Sequence, residues 1–148
     1  MTLTHLNDPD LIDDLLIDPG IWVIVGLSDN RERDAWRIAR YLKYELDKGI
    51  IPVHPKAETV HGEPGYASIS DIPDGVDVKV VDCFVNSQHV GAIVDEVIAN
   101  KDRLSIDAIW MQLGVKDAAA ADRARRAGLD VVMDTCPKIE NKRLMPGR

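Results

Sequence analysis

The stretch Ile21-Trp22-Val23-Ile24-Val25-Gly26-Leu27-Ser28 constrains this chain more than any other. An apolar run with no polar break reads as a strand covered on both faces, the habit of parallel sheets. Gly26 at its end allows a sharp turn and a close approach by a ligand or another backbone. A helical pattern follows from Ala35 to Lys48, with Trp36, Ile38, Ala39, Leu42 and Leu46 at helical spacing and Gly49 placed to end it. A helix N-terminus therefore lies just beyond the strand, where free N–H groups and positive potential suit a phosphate. The unit predicts a nucleotide-type binding corner.

The rest of the chain repeats the alternation. Asp8-Pro9 caps and opens a helix carrying Leu11, Ile12, Leu15, Leu16 and Ile17, which Asp18-Pro19-Gly20 stops. Further strands are predicted at Ile50–Val53, Val76–Phe84, Ile106–Met111 and Leu129–Met133. Between them lie a helix through Val90, Ile93, Val94, Val97 and Ile98, and an alanine-rich helix from Ala118 to Ala127 that Gly128 ends. Lys56 to Gly65 reads as a loop, Ser68 to Ile72 as one helical turn, and the tail after Cys136 as a short helical start. Alternating strands and helices of this length imply βαβ units and a parallel sheet. The predicted class is α/β: a single doubly wound, Rossmann-like domain over residues 1–148, its first 20 residues a helical extension. Its five-stranded parallel sheet carries helices on both faces, in the order 3-2-1-4-5.

A formal net charge of −7 argues against a nucleic-acid partner, whose affinity would come from clustered Lys and Arg. Two cysteines are too few for a disulfide framework and favour a reducing, cytoplasmic setting. Met1 to Asp8 shows no secretion signal, and no apolar stretch approaches the roughly 20 residues of a membrane span.

Ligands of such sheets bind beyond the carboxyl ends of the strands, near the switch in strand order. That rule selects the loops Gly26-Leu27-Ser28, His54-Pro55-Lys56, Phe84-Val85-Asn86, Gln112-Leu113-Gly114 and Asp134-Thr135-Cys136. Ser28 and Arg31 stand where a dinucleotide fingerprint needs its second and third glycines, and no acidic residue ends the second strand, so an NAD(P)-type site fits poorly. What remains is a shorter phosphate corner, with the Ser28 hydroxyl, backbone N–H groups, and Arg33 or Arg37 as donors. Pro52 belongs near a strand end or edge. With Pro55 it stiffens Val53-His54 and would leave carbonyls free to accept from an adenine amino group. Phe84 could pack on a base or a pantetheine arm, whereas Trp110 reads as core. Gln112 can donate and accept beside Gly114. Cys136, before Pro137-Lys138, sits where a helix N-terminus and a lysine would lower a thiol pKa, and its exchange with a ligand thiol is the redox alternative. Cys83 reads as inert. No catalytic constellation is legible, and His5, His54, His61 and His89 show no metal-ligand spacing.

These segments in order give the chain its resemblance. Val23-Ile24-Val25-Gly26-Leu27-Ser28, Glu32-Arg33 with Tyr41-Leu42, Ile51 to Lys56 with Gly62, and Ser68 to Pro73 come first. Val81-Asp82-Cys83-Phe84, Ala108 to Gly114, Val131 to Asp134 and Cys136 to Glu140 follow. The chain resembles the stand-alone CoA-binding proteins, whose domain is similar to that of the succinyl-CoA ligase alpha subunit. The resemblance implies a Rossmann-like domain that binds coenzyme A, or an acyl-CoA, without known catalysis, as a sensor, carrier or module answering to a protein partner. It implies Gly26 and Ser28 at phosphate, Pro52, Val53, His54 and Pro55 on the adenosine side, and Phe84, Gln112 and Gly114 along the remainder. The chain departs from the family where His54 stands for a frequent asparagine, Val85 for a frequent arginine and Ala35 for a frequent serine.

Overall fold

The computed structural model describes residues 7–144. His5, the rest of the first six residues of the expected extension, and the last four residues lie outside the described residues. Strands β1 (Ile21–Val25), β2 (Gly49–Val53), β3 (Val78–Cys83), β4 (Ala108–Met111) and β5 (Asp130–Val132) form one wholly parallel sheet. They alternate with α1 (Pro9–Ile17), α2 (Asp34–Tyr44), α3 (Val90–Asn100), α4 (Ala118–Arg126) and α5 (Pro137–Leu144), as the doubly wound α/β class requires. A 3₁₀ turn, Ile69–Asp71, interrupts the long β2–β3 connection.

The expected strand order, 3-2-1-4-5, is corrected: the sheet runs β2-β1-β3-β4-β5. Pro52 supplies a physical reason. It has no N–H for a ladder, so β2 belongs at an edge. The expected order would enclose β2 between two neighbours. In the observed one the outer side of Pro52 meets only a short return of chain, where its carbonyl accepts from Tyr66 N–H at 3.0 Å. β3 then pairs directly with β1, Val25 opposite Cys83, and the switch point lies between them.

Alternate residues of each strand feed two cores. Trp22 and Ile24 of β1 face α1, α2 and α5 together with Leu42 and Trp110, and the two indoles stand 5.3 Å apart. Val23 and Val25 face α3 and α4 together with Val81, Ile109 and Val131. Asp8 caps α1, accepting from Asp10 N–H at 2.9 Å, with Pro9 in the first turn. Gly128, at φ +92°, follows the α4 C-cap. α2 stops at Tyr44, short of the expected Lys48, because Asp47 turns left-handed at φ 57° and Lys48 N–H closes onto Leu42 O. Gly49 is thus the first residue of β2 rather than a helix stop. The Lys48 side chain turns back under α1, with the Asp18 carbonyl within its reach. Burial lowers its pKa, against the pull of Asp18. No helix among the described residues is long and apolar enough to cross a membrane.

One group stands out in this packing. Asp82, between Ile24 and Trp110 on the sheet, is fully buried, and neither carboxyl oxygen has a partner among the described residues. Trp22 Nε1, on the same face, is also without one. Burial pushes the Asp82 carboxyl well above the usual carboxylate range. An acid whose folded pKa is raised holds its proton longer in the native state, so its contribution to stability is lost as pH climbs from the unfolded value, about 4, toward the folded one. Asp82→Asn removes that loss. The stability difference between Asp82→Asn and the parent should move in the variant's favour as pH rises from about 4 to 8, by up to about 1.4 kcal/mol per unit. Urea denaturation at several pH values measures it, and a pH-independent difference would contradict the assignment.

Candidate functional site

Gly26 is the pivot of the site. Its N–H donates to Val53 O at 2.8 Å, so the end of β1 is tied to the end of β2. On the other side Phe84 N–H donates to Val25 O at 2.8 Å, tying β1 to β3. A Cβ on Gly26 would overlap the Phe84 carbonyl oxygen, and φ is +97°. Only glycine lets the chain leave β1 this close to β3.

The chain then crosses to α2 through a loop shaped by its own polar side chains. Ser28 Oγ accepts weakly from Asn30 N–H at 3.4 Å, and Asn30 Oδ1 accepts from Glu32 N–H at 3.0 Å. No side chain caps α2, whose N-cap residue is Arg33. The Asp34 and Ala35 N–H groups of its first turn are thus free to meet an anion, whereas Arg33 N–H donates to Asn30 O at 3.1 Å and Trp36 N–H to Arg33 O at 3.2 Å. The Arg33 guanidinium has no partner among the described residues and lines the same opening as Gly26, Ser28 and Ala35.

The cleft over these residues measures about 760 Å³. Its second wall comes from the β2–β3 connection and from α3. Val53, His54 and Pro55 lead into it, Ala67 and Ser68 continue it, Val85 and His89 face it from the β3–α3 connection, and Ile93 and Glu96 face it from α3. Glu96 Oε2 accepts from both the backbone N–H and the Oγ of Ser70, at 3.1 and 2.8 Å. Arg103 fastens the connection from outside the cleft. It donates to the carbonyls of Ile69 and Ser70 at 3.2 and 3.0 Å and pairs with Asp74 at 2.9 Å.

The β4 end adds Gln112, Leu113 and Val115. Gln112 is 7% exposed, and its Oε1 has no partner among the described residues. Gln112 thus lines the cleft while its own Oε1 is closed off from solvent and unpaired. Gly114 makes the turn there at φ +88°, its N–H donating to Asp134 Oδ1 at 2.7 Å.

The structure thus brings Gly26, Ser28, Arg33, Val53, His54, Pro55, Phe84 and Gln112 onto one cleft. It places five other sequence candidates off the wall. Leu27 is fully buried beneath α2, and Pro52 is buried in β2. Arg37 lies one turn along α2 with its guanidinium on Asp34 at 2.5 Å. Gly114 shapes its loop while its neighbours line the cleft. Cys136 is 8% exposed and packs into the core beneath α1, α2 and α5. The carbonyls expected to be free on the β2 loop are engaged: Pro52 O by Tyr66, Val53 O by Gly26 and His54 O by Ala57. The residues from Ala67, Ser68, His89, Ile93 and Glu96 were not legible as a site. The helical spacing of His89, Ile93 and Glu96 marks one face of α3, but nothing in the sequence says that this face meets the switch point.

A family model described as a CoA binding domain matches residues 21–142. The structure is similar to that of Prb, described as PH1109 protein redesigned for binding, with a TM-score of 0.84 and 31% identity over 96% of this chain and 95% of that one. A hypothetical protein from Pyrococcus horikoshii OT3 gives a TM-score of 0.83 and 31% identity over 95% and 94%. The uncharacterized protein YneT of Bacillus subtilis (strain 168) is 26% identical over 78% of this chain and 81% of its own.

Two of the positive-φ glycines, Gly26 and Gly114, should differ in what they tolerate. Gly114 has open space where a Cβ would stand, so Gly114→Ala should cost about 1–2 kcal/mol of backbone strain alone. Gly26→Ala adds overpacking against Phe84 and should cost at least about 3 kcal/mol in denaturant unfolding. Equal costs would mean that β1 and β3 part easily at this end.

Proposed function

Since the chain belongs to the CoA binding domain family, we propose that it holds coenzyme A in this cleft and acts as a CoA sensor, carrier or regulatory module rather than as a catalyst. The observation that carries the reading is the uncapped N-terminus of α2 opening beside Gly26, Ser28 and the unpaired Arg33. Free N–H groups, helix dipole and guanidinium together suit a phosphate group. The cleft is far larger than a phosphate requires and lies within the range of small-molecule sites, about 300–1,000 Å³. Apolar surface from Val53, Pro55, Phe84 and Ile93 gives a base or a pantetheine arm somewhere to pack. Gln112 adds a polar side chain to the same wall.

The residues support binding roles in particular places. Gly26 and Ser28 admit the phosphates, Arg33 neutralises them, and Val53-His54-Pro55 border the adenosine. Cys136 faces away from the cleft, so a mixed disulfide with the ligand thiol draws no support from its position. Two free cysteines, both buried, accord with a cytoplasmic setting.

Thermal shift against CoA and NAD tests the reading. CoA should raise the melting temperature progressively with concentration and NAD should not, because a ligand stabilises the state it binds. Arg33→Ala should weaken CoA about tenfold, the loss of one exposed charge-assisted contact, while Arg37→Ala should leave affinity near the parent value. A folded protein that gains no stability from CoA would overturn the proposal. An Arg33→Ala variant with parent affinity would remove Arg33 from it.

A further inference from the structure

The face formed by α1, α5 and α2 carries an unusual combination of charge and apolar exposure. α5 touches both of the other two helices and lies between them. α1 contains Asp10, Asp13 and Asp14 and no base. α2 contains three bases against one acid, and so does α5. One flank of the face is therefore acidic, and the centre and other flank are basic. Four large hydrophobic side chains are conspicuously exposed among the described residues, and three of them lie here: Ile17 at 63%, Tyr44 at 63% and Ile139 at 45%. The fourth, Leu113, belongs to the cleft. Between α2 and α5 lies a recess of about 520 Å³ walled by Arg37, Arg40, Tyr41, Tyr44 and Lys138. An aromatic wall rimmed by bases complements an apolar side chain flanked by acids. Ile17, one helical turn beyond Asp13 and Asp14, is such a side chain.

We propose that this face binds a second copy of the chain in a two-fold dimer, with Ile17 of each copy seated in the α2–α5 recess of the other. Charge selects the arrangement. A two-fold axis running along α5 sets the α1 of each copy against the α2 of the other, acid on base, twice. An axis across the three helices sets α1 on α1 and α2 on α2, like charge on like, which is disfavoured. Both axes set the basic α5 on its own counterpart, a cost common to the two that does not choose between them. Asp34, Glu45 and Glu140 lie among the bases and reduce their field without reversing it. Three helices about 10 Å apart and up to about 16 Å long offer on the order of 500 Å² a side, close to the smallest area a specific interface buries. The dimer is accordingly a weak one, with dissociation in the micromolar range and sensitive to salt.

A charge-swap experiment by sedimentation velocity tests it, with circular dichroism to confirm folding. The parent chain should dimerise between low-micromolar and submillimolar concentrations, and added salt should weaken the dimer. Asp10→Lys/Asp14→Lys and Arg37→Glu/Arg40→Glu should each self-associate at least tenfold more weakly. Mixed together, they should form a heterodimer, because both contacts again join acid to base. Ile17→Ser should weaken association with no change in charge. A parent chain that stays monomeric throughout would overturn the proposal. A mixture no stronger than its components would overturn the arrangement about α5.

Discussion

The site depends on a near-contact between two pieces of backbone. β1 and β3 are neighbours up to their last residues, and the chain leaves β1 with Gly26 lying against the Phe84 carbonyl. Every other part of the cleft is placed by that approach. It fixes where the chain departs toward α2, whose uncapped terminus opens on the cleft beyond the carboxyl ends of the strands. It also brings Val53 within hydrogen-bonding distance of Gly26, which anchors the opposite wall. A side chain at this position would push β1 and β3 apart and carry both walls with them.

The class of fold was legible because burial on two faces writes itself into composition. Runs such as Ile21–Val25 and Ala108–Met111 have no polar alternation, so a one-sided sheet was never a competitor. Helix signals at Asp8-Pro9 and Gly128 work within a few residues and were readable for that reason. Strand order is a different kind of property. It is decided by contacts distant in sequence, and the strongest local clue, Pro52, shows only that β2 belongs to an edge. The floor of the site followed the strand ends and was visible. The wall made by Ala67, Ser68 and α3 was not, because a connection without periodicity carries no sign of what it packs against. Cys136 shows the opposite failure: a reactive-looking sequence setting, before Pro137 and Lys138, whose side chain the fold directs into the core.

Two buried polar groups make opposite use of being unpaired. Gln112 belongs to the wall of the cleft, so its unpaired Oε1 lies within a residue of the open surface although the atom itself is closed off. Asp82 lies inside the helix-covered layer beside Trp22 and Trp110, beyond the reach of a ligand in the cleft. Its cost is carried by the folded state at all times and eases only with protonation. One orphan stands at the wall of the cleft, the other is a reserve of instability in the middle of the sheet.

The clamp made by Arg103 divides the molecule into two kinds of material. The sheet, with Gly26 and the α2 terminus, is assembled from strand pairing and cannot change without disturbing the cores. The segment from His54 to Val76 buries Val60, Ile69 and Ile72 in the two cores, and near the cleft it is held by the Arg103 guanidinium on backbone carbonyls and the Glu96 carboxylate on Ser70, contacts that do not involve the side chain of Ala67. Substitution at Ala67 or Ser68 can thus remodel one side of the cleft while the Gly26 corner stays as it is. The Gly26 corner is set by strand pairing and this stretch of the wall is not, so a change in what is accepted beside the corner needs no change in the sheet.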